Sequence, residues 1–203
     1  WATYKEWLSN TDQYLSKFAD NWDWVVLSKN KNVTYNRFIL TKHKGEKWDW
    51  EYLSEFGGFL TKQKRDNEKY LEQVVKQFRL YIKFEFLSKR KDINIDSGLI
   101  LATKDKKWDW QTLSENVKVE ISNELILELK EKDWDWKAIS KRKNLTFNNE
   151  TILQLLEKDW DWNYLSENVN LEFNAEFIDK TKAKSWNWKS VSQHKSFLPT
   201  VEI

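Results

Sequence analysis

Trp134-Asp135-Trp136-Lys137-Ala138-Ile139-Ser140 decides how this chain is read, because the pattern Trp-Asp-Trp-x-x-Leu-Ser returns along nearly its whole length. Copies start at Trp22, Trp48, Trp108, Trp134, Trp160 and Trp186, and a degenerate copy, Ile82-Lys83-Phe84-Glu85-Phe86-Leu87-Ser88, fills the one gap. The starts are 26 residues apart except for one step of 34. A fixed period in this range marks a tandem array, so the chain is read as one array and not as two globular domains. The repeats are expected at 22–47, 48–81, 82–107, 108–133, 134–159 and 160–185. A partial repeat precedes them over 1–21, and a partial repeat or cap follows over 186–203. A chain that begins at Trp1 and contains no Met is expected to be a segment of a longer protein.

The motif follows from helix-end chemistry. Its second position is Asp in five copies (Asp23, Asp49, Asp109, Asp135, Asp161) and Asn187 in the last, and both side chains cap helix N-termini by accepting an unpaired backbone N–H. With Asp135 as the cap, Trp134 precedes it and Ile139 is the fourth helical residue, the pair that packs as a hydrophobic staple. Thirteen residues on, Asn36, Asp96, Ser122, Asn148 and Asn174 form a second cap column, each between an apolar neighbour and another apolar residue four positions later. Each repeat is therefore predicted to be two helices, the second of roughly ten residues by that spacing. The fold class is an all-α solenoid of about seven helix-turn-helix repeats. The rival reading takes Val33, Ile93, Val119, Leu145 and Leu171 as short strands, which would stack into an α/β leucine-rich-repeat-like horseshoe. The longer step falls after Phe56-Gly57-Gly58-Phe59. There the extra residues are expected to lengthen the second helix by about two turns, and the Gly pair to take angles closed to other residues.

Composition narrows the function classes. Hydrophobic residues make up 40% and Gly and Pro only 4 and 1, which excludes disorder and a turn-dense β-sandwich. Net charge is +2, so the global field of a typical nucleic-acid binder is absent. The absence of Cys removes disulfides, thiolate metal sites and a Cys nucleophile. No apolar run approaches a membrane span, so no membrane contact is expected and a cytoplasmic location is the reading.

Trp-Asp-Trp-x-x-Leu-Ser followed by Asn and an aliphatic residue resembles short tandem repeats of large DNA viruses and some bacterial proteins. The likeness spans residues 22 to about 192 and implies an α-solenoid, but no activity.

The side chains with functional content are few. Fourteen Trp suggest aromatic cages, but two fixed Trp per copy are what a short repeat needs to fill the space between neighbours. The recurring Ser is read as a small residue that permits close helix approach. His43 and His194 occupy unlike positions with no ligand-spaced partners, so no metal, cofactor or catalytic residue is assigned and the chain is read as not an enzyme. The clusters Lys29-Asn30-Lys31, Lys89-Arg90-Lys91 and Lys141-Arg142-Lys143 alternate with Glu-bearing turns in a 52-residue superperiod. Lys29, Lys31, Lys89, Arg90, Lys91, Lys141, Arg142 and Lys143 are expected to project together as one candidate binding edge. The reading is a non-catalytic scaffold that binds a protein partner or another domain of its own chain on that edge. The alternative is a nucleic-acid-binding recognition module of a nuclease or modification system, using these turns and exposed Trp.

Overall fold

The computed structural model describes residues 11–33, 35–61 and 69–197. Trp1, Trp7, Thr34, most of the extra residues after Thr61 and the terminal Leu198-Pro199 lie outside them. Among the described residues all regular structure is helical, and no helix is long and apolar enough to cross a membrane. The fold is all-α, built of stacked helix pairs as in an α-solenoid.

The chain divides into two compact units at Ile93 and Asn94. In the first, first helices Trp24–Ser28, Trp50–Phe56 and Phe84–Leu87 alternate with second helices Arg37–Lys42 and Tyr70–Phe78. In the second, first helices are Trp110–Glu115, Trp136–Ser140, Trp162–Leu165 and Trp188–Ser192. Its second helices are Ser97–Ala102, Asn123–Glu128, Asn149–Gln154 and Ala175–Thr181. Within each unit like packs on like: Trp50–Phe56 lies against Phe84–Leu87, Trp136–Ser140 between its two counterparts, and Asn123–Glu128 between its own.

The caps sit where the sequence places them. Asp135 Oδ1 accepts the Ala138 N–H at 2.8 Å and Asn148 Oδ1 the Thr151 N–H at 2.9 Å, and their counterparts repeat this in the other regular copies. Among the described residues only Lys83, in the degenerate copy, starts a first helix without a side-chain cap.

The second helices are shorter than the expected ten residues, running six in four copies and seven in the last regular one. The next copy's first Trp ends them. Trp48, Trp108, Trp134, Trp160 and Trp186 donate their indole Nε1–H to the carbonyls of His43, Thr103, Leu129, Leu155 and Thr181 at 2.8 to 3.2 Å. These carbonyls stand at helix C-termini, where intrahelical partners run out. A buried indole therefore serves as a C-terminal cap, which fixes where the chain leaves the helix.

The insertion also differs from expectation. A 3-10 turn, Gly58–Leu60, comes first, and helix Tyr70–Phe78 runs nine residues, longer by less than one turn. Neither glycine has positive φ. Gly57 is needed for space, since a Cβ would run into the Leu53 carbonyl and come within 2.8 Å of the Phe59 ring.

The strand alternative is replaced by something slighter. A single parallel bridge joins Ile95 to Val119, and no named strand forms among the described residues. In the neighbouring copies side chains take the place of backbone partners. Asn149 donates to the Glu172 carbonyl at 2.6 Å and accepts the Glu172 N–H at 2.9 Å.

Candidate functional site

Within the two units three ladders link successive copies, the first two at most junctions and the third at alternate ones, and they leave the outer turns as the variable surface. The first is aromatic. The second Trp of one copy meets the first Trp of the next edge-on: Trp24 with Trp48, Trp110 with Trp134, Trp136 with Trp160 and Trp162 with Trp186, at 4.7 to 4.9 Å between centroids. The edge-on geometry places a ring's positive rim against its neighbour's negative face. Lys132, Lys158 and Lys184 then lie 5.5 to 5.7 Å from the centroids of Trp110, Trp136 and Trp162. Most of these indoles are thus consumed in packing. In the copy from Trp186 the two indoles differ, since Trp188 is 48% exposed and Trp186 is buried.

The second ladder runs through the motif serine, which does more than allow close approach. Ser28, Ser54, Ser114, Ser140 and Ser166 are buried; each hydroxyl donates to the carbonyl of its own second Trp. Each also accepts the backbone N–H at the next copy's cap position, from Asp49, Lys83, Asp135, Asp161 and Asn187, at 2.9 to 3.0 Å. A hydroxyl is the smallest group that can do both.

The third ladder overturns part of the candidate edge. Arg90 and Arg142 do not project into solvent; they are 4% and 7% exposed. Arg90 Nη1 donates to the Gly57 carbonyl at 2.9 Å. Arg142 Nη1 donates to the carbonyls of Leu113, Ser114 and Asn116, and Nη2 to that of Val119. His194, a further 52 residues on, repeats the reach with Nε2 at 3.1 Å from the Asn168 carbonyl. The intervening turns carry Asn116 and Asn168, which fold back on their own backbone by accepting the N–H two residues ahead. The superperiod thus alternates a long side chain that clamps the preceding turn with a short one that shapes the turn being clamped. Carbonyl dipoles and an aliphatic stem make the buried guanidinium tolerable.

The two arginines differ in compensation. Asp92 grips Arg90 with both oxygens, at 2.6 Å from Nε and 2.7 Å from Nη2, and that guanidinium holds the Asp92 carboxyl below the usual carboxylate range. The matching residue beside Arg142 is Asn144, whose Oδ1 lies 3.4 Å from Nε. Burial pushes the Arg142 pKa down to about 10, which leaves it protonated at neutral pH.

Lys29, Lys31, Lys89, Lys91, Lys141 and Lys143 are exposed. Lys29 pairs with Asp49 at 2.9 Å and Lys89 with Glu55 at 3.6 Å, and Lys141 lies 5.5 Å from the Tyr164 ring centroid. In the second unit a groove of about 870 Å³ brings Lys137, Lys141 and Lys143 together with Glu115, Asp135, Val117 and Ala138. Arg142 and Asn144 also line it. A smaller recess, which Lys141, Arg142 and Lys143 also line, adds Tyr164, Glu167 and Val169. Val117 and Val169 stand where the Lys-bearing turns have Lys91 and Lys143, so an apolar residue in a polar turn column was the signal in the sequence for this lining.

Elsewhere His43 stacks on Trp24 and pairs with Asp12 at 3.2 Å, in a structural role. Among the described residues no group of three His, Cys, Asp or Glu side chains gathers in a way that could hold a metal ion. Compared with family models, curated proteins and solved structures, the chain matches none of them.

Proposed function

We propose that the chain is a non-catalytic binding scaffold, a Trp-Asp-Trp repeat array that holds a protein segment along the turn edge of its second unit. The partner is another protein or a further domain of the same chain, in the cytoplasm. The observation that carries this reading is the burial of Arg90 and Arg142. Arginine is the side chain best shaped for phosphate, and with both folded between copies, where only a side chain reaching into the groove could meet Arg142, the cations along the edge itself are lysines interleaved with Glu115 and Glu167. A phosphate backbone laid along such an edge meets attraction and repulsion in turn. A polypeptide of mixed charge suits it better, and Val117, Tyr164 and Val169, all exposed, supply the apolar contact that a peptide side chain uses.

The test pairs two titrations. Peptides selected by display against the full chain are expected to bind about five- to thirtyfold more weakly to the Lys141→Glu/Lys143→Glu variant, since reversing two rim charges costs on the order of 1 to 2 kcal/mol. Labelled single- and double-stranded DNA and RNA are expected to show no sub-micromolar affinity at moderate salt. A sub-micromolar nucleic-acid affinity that the same reversal abolishes would put the recognition-module alternative in first place. Arg142 is left out of the variant because its reversal would disrupt the packing between copies.

A further inference from the structure

The groove beside Arg142, where Lys137, Lys141, Arg142 and Lys143 outnumber Glu115 and Asp135, holds an excess of positive charge, and Arg90, at the same repeat position, shows what balances the guanidinium. Around Arg90 the chain supplies its own carboxylate, Asp92, in bidentate contact. Around Arg142 the same position is a neutral amide, Asn144, with one long contact. Among the described residues no Asp or Glu forms an ion pair with Arg142. Nη2, which carries two hydrogens, has a single acceptor, the Val119 carbonyl. Lys143 stands next in the groove without an ion-pair partner among the described residues, and Lys141 also lines it. A buried cation without a counter-charge is costly, and the cheapest counter-charge is a carboxylate delivered from solvent through the open side of the groove.

We infer that the groove lined by Lys141, Arg142, Lys143 and Asn144 is a carboxylate-binding subsite that takes a Glu or Asp side chain of a bound polypeptide. This rests on the peptide-binding reading above and adds to it the chemistry of one partner residue. The acid would sit where Asp92 sits in the earlier copy, held by the guanidinium and one lysine, with its stem against Val117 and Ala138. A carboxylate there would return the Arg142 pKa toward its ordinary value, reversing the effect of burial.

The experiment uses the full chain and two small probes, N-acetyl-glutamate N-methylamide and its glutamine counterpart, followed by ¹⁵N–¹H correlation spectra that include the arginine Nε–H signals. The acidic probe is expected to shift the Arg142 Nε–H and the amides of residues 141 to 144 saturably, and the neutral one to leave them in place. Asn144→Asp is the decisive variant, because it rebuilds the Arg90–Asp92 pair and fills the subsite from within. It should raise Tm and weaken the acidic probe by at least about tenfold, the loss of one charge-assisted contact. Lys143→Gln should weaken the probe while leaving Tm in place. Equal shifts from both probes, undiminished binding in Asn144→Asp, or no shift near Arg142 would each overturn the inference. Should selected peptides still lose affinity on Lys141→Glu/Lys143→Glu while no acidic probe reaches Arg142, the edge reading survives and the acidic preference alone falls.

Discussion

At the scale of single residues, the two tryptophans of a copy do different work. Trp136 is nearly buried, edge-on to Trp160 and covered by Lys158, so Trp136→Ala is expected to cost about 3 to 5 kcal/mol in urea unfolding. Asp135→Ala removes one helix cap and should cost about 1 kcal/mol. Trp134→Phe keeps a large ring but takes the indole N–H from the Leu129 carbonyl, which still accepts the Lys132 N–H, so the lost hydrogen bond should cost about 0.5 to 1.5 kcal/mol. Losses of the same small size from all three would mean that the indoles neither fill the junctions nor cap the helices. The caps were legible because Asp and Asn announce themselves by type and spacing. The indole's second task was not, since its acceptor belongs to the preceding copy. Arg90 and Arg142 misled for a related reason. Flanked by lysines they read as part of a solvated charge run, and only the 52-residue alternation with Asn116 and Asn168 hinted that the middle residue answered to a different constraint.

Among the elements, helix starts were readable and helix ends were not. Each start is encoded within four residues of itself, by cap and staple. Each end of a regular second helix is imposed by the Trp that follows it, so period alone overestimated the length. The Phe56-Gly57-Gly58-Phe59 segment makes the same point about glycine. Gly57 lies where a Cβ would strike the Leu53 carbonyl and the Phe59 ring, whereas a Cβ on Gly58 would meet nothing within 4 Å. Gly57→Ala should therefore destabilise by about 1 to 3 kcal/mol, the usual cost of forcing extra atoms into a packed place. Gly58→Ala should fall within about 0.5 kcal/mol of the unchanged chain. Thermal unfolding of the pair settles the matter, and a large loss at Gly58 with none at Gly57 would contradict the packing described for this turn.

For the whole molecule, the distribution of perturbed carboxylates sets the response to acid. Asp12, Asp49 and Asp92 all belong to the first unit, and each is held below its ordinary value of 3.8. At Asp12 and Asp49 burial works the other way but is outweighed, by hydrogen bonds from Lys42 and His43 in one case and from the Tyr52 N–H and Lys29 in the other. At Asp92 the Arg90 fork is the main cause. Because their folded values lie below the unfolded one, the unfolded chain binds more protons in acid. The stability they contribute is present above about pH 4 and is lost as the pH falls through their folded values. In the second unit the lowered carboxylates are Glu128, Glu176 and Asp179, fully exposed partners of surface lysines, whose effect moderate salt screens. Acidification in moderate salt should therefore loosen the first unit before the second. Amide hydrogen exchange, corrected for intrinsic rates, is expected to show protection falling as the pH drops below about 4 in residues 11–33, 35–61 and 69–93 while residues 94–197 keep theirs. Uniform loss across both units would mean that these three carboxylates do not govern the acid response, and earlier loss in the second unit would point to a titrating group outside the pairs described.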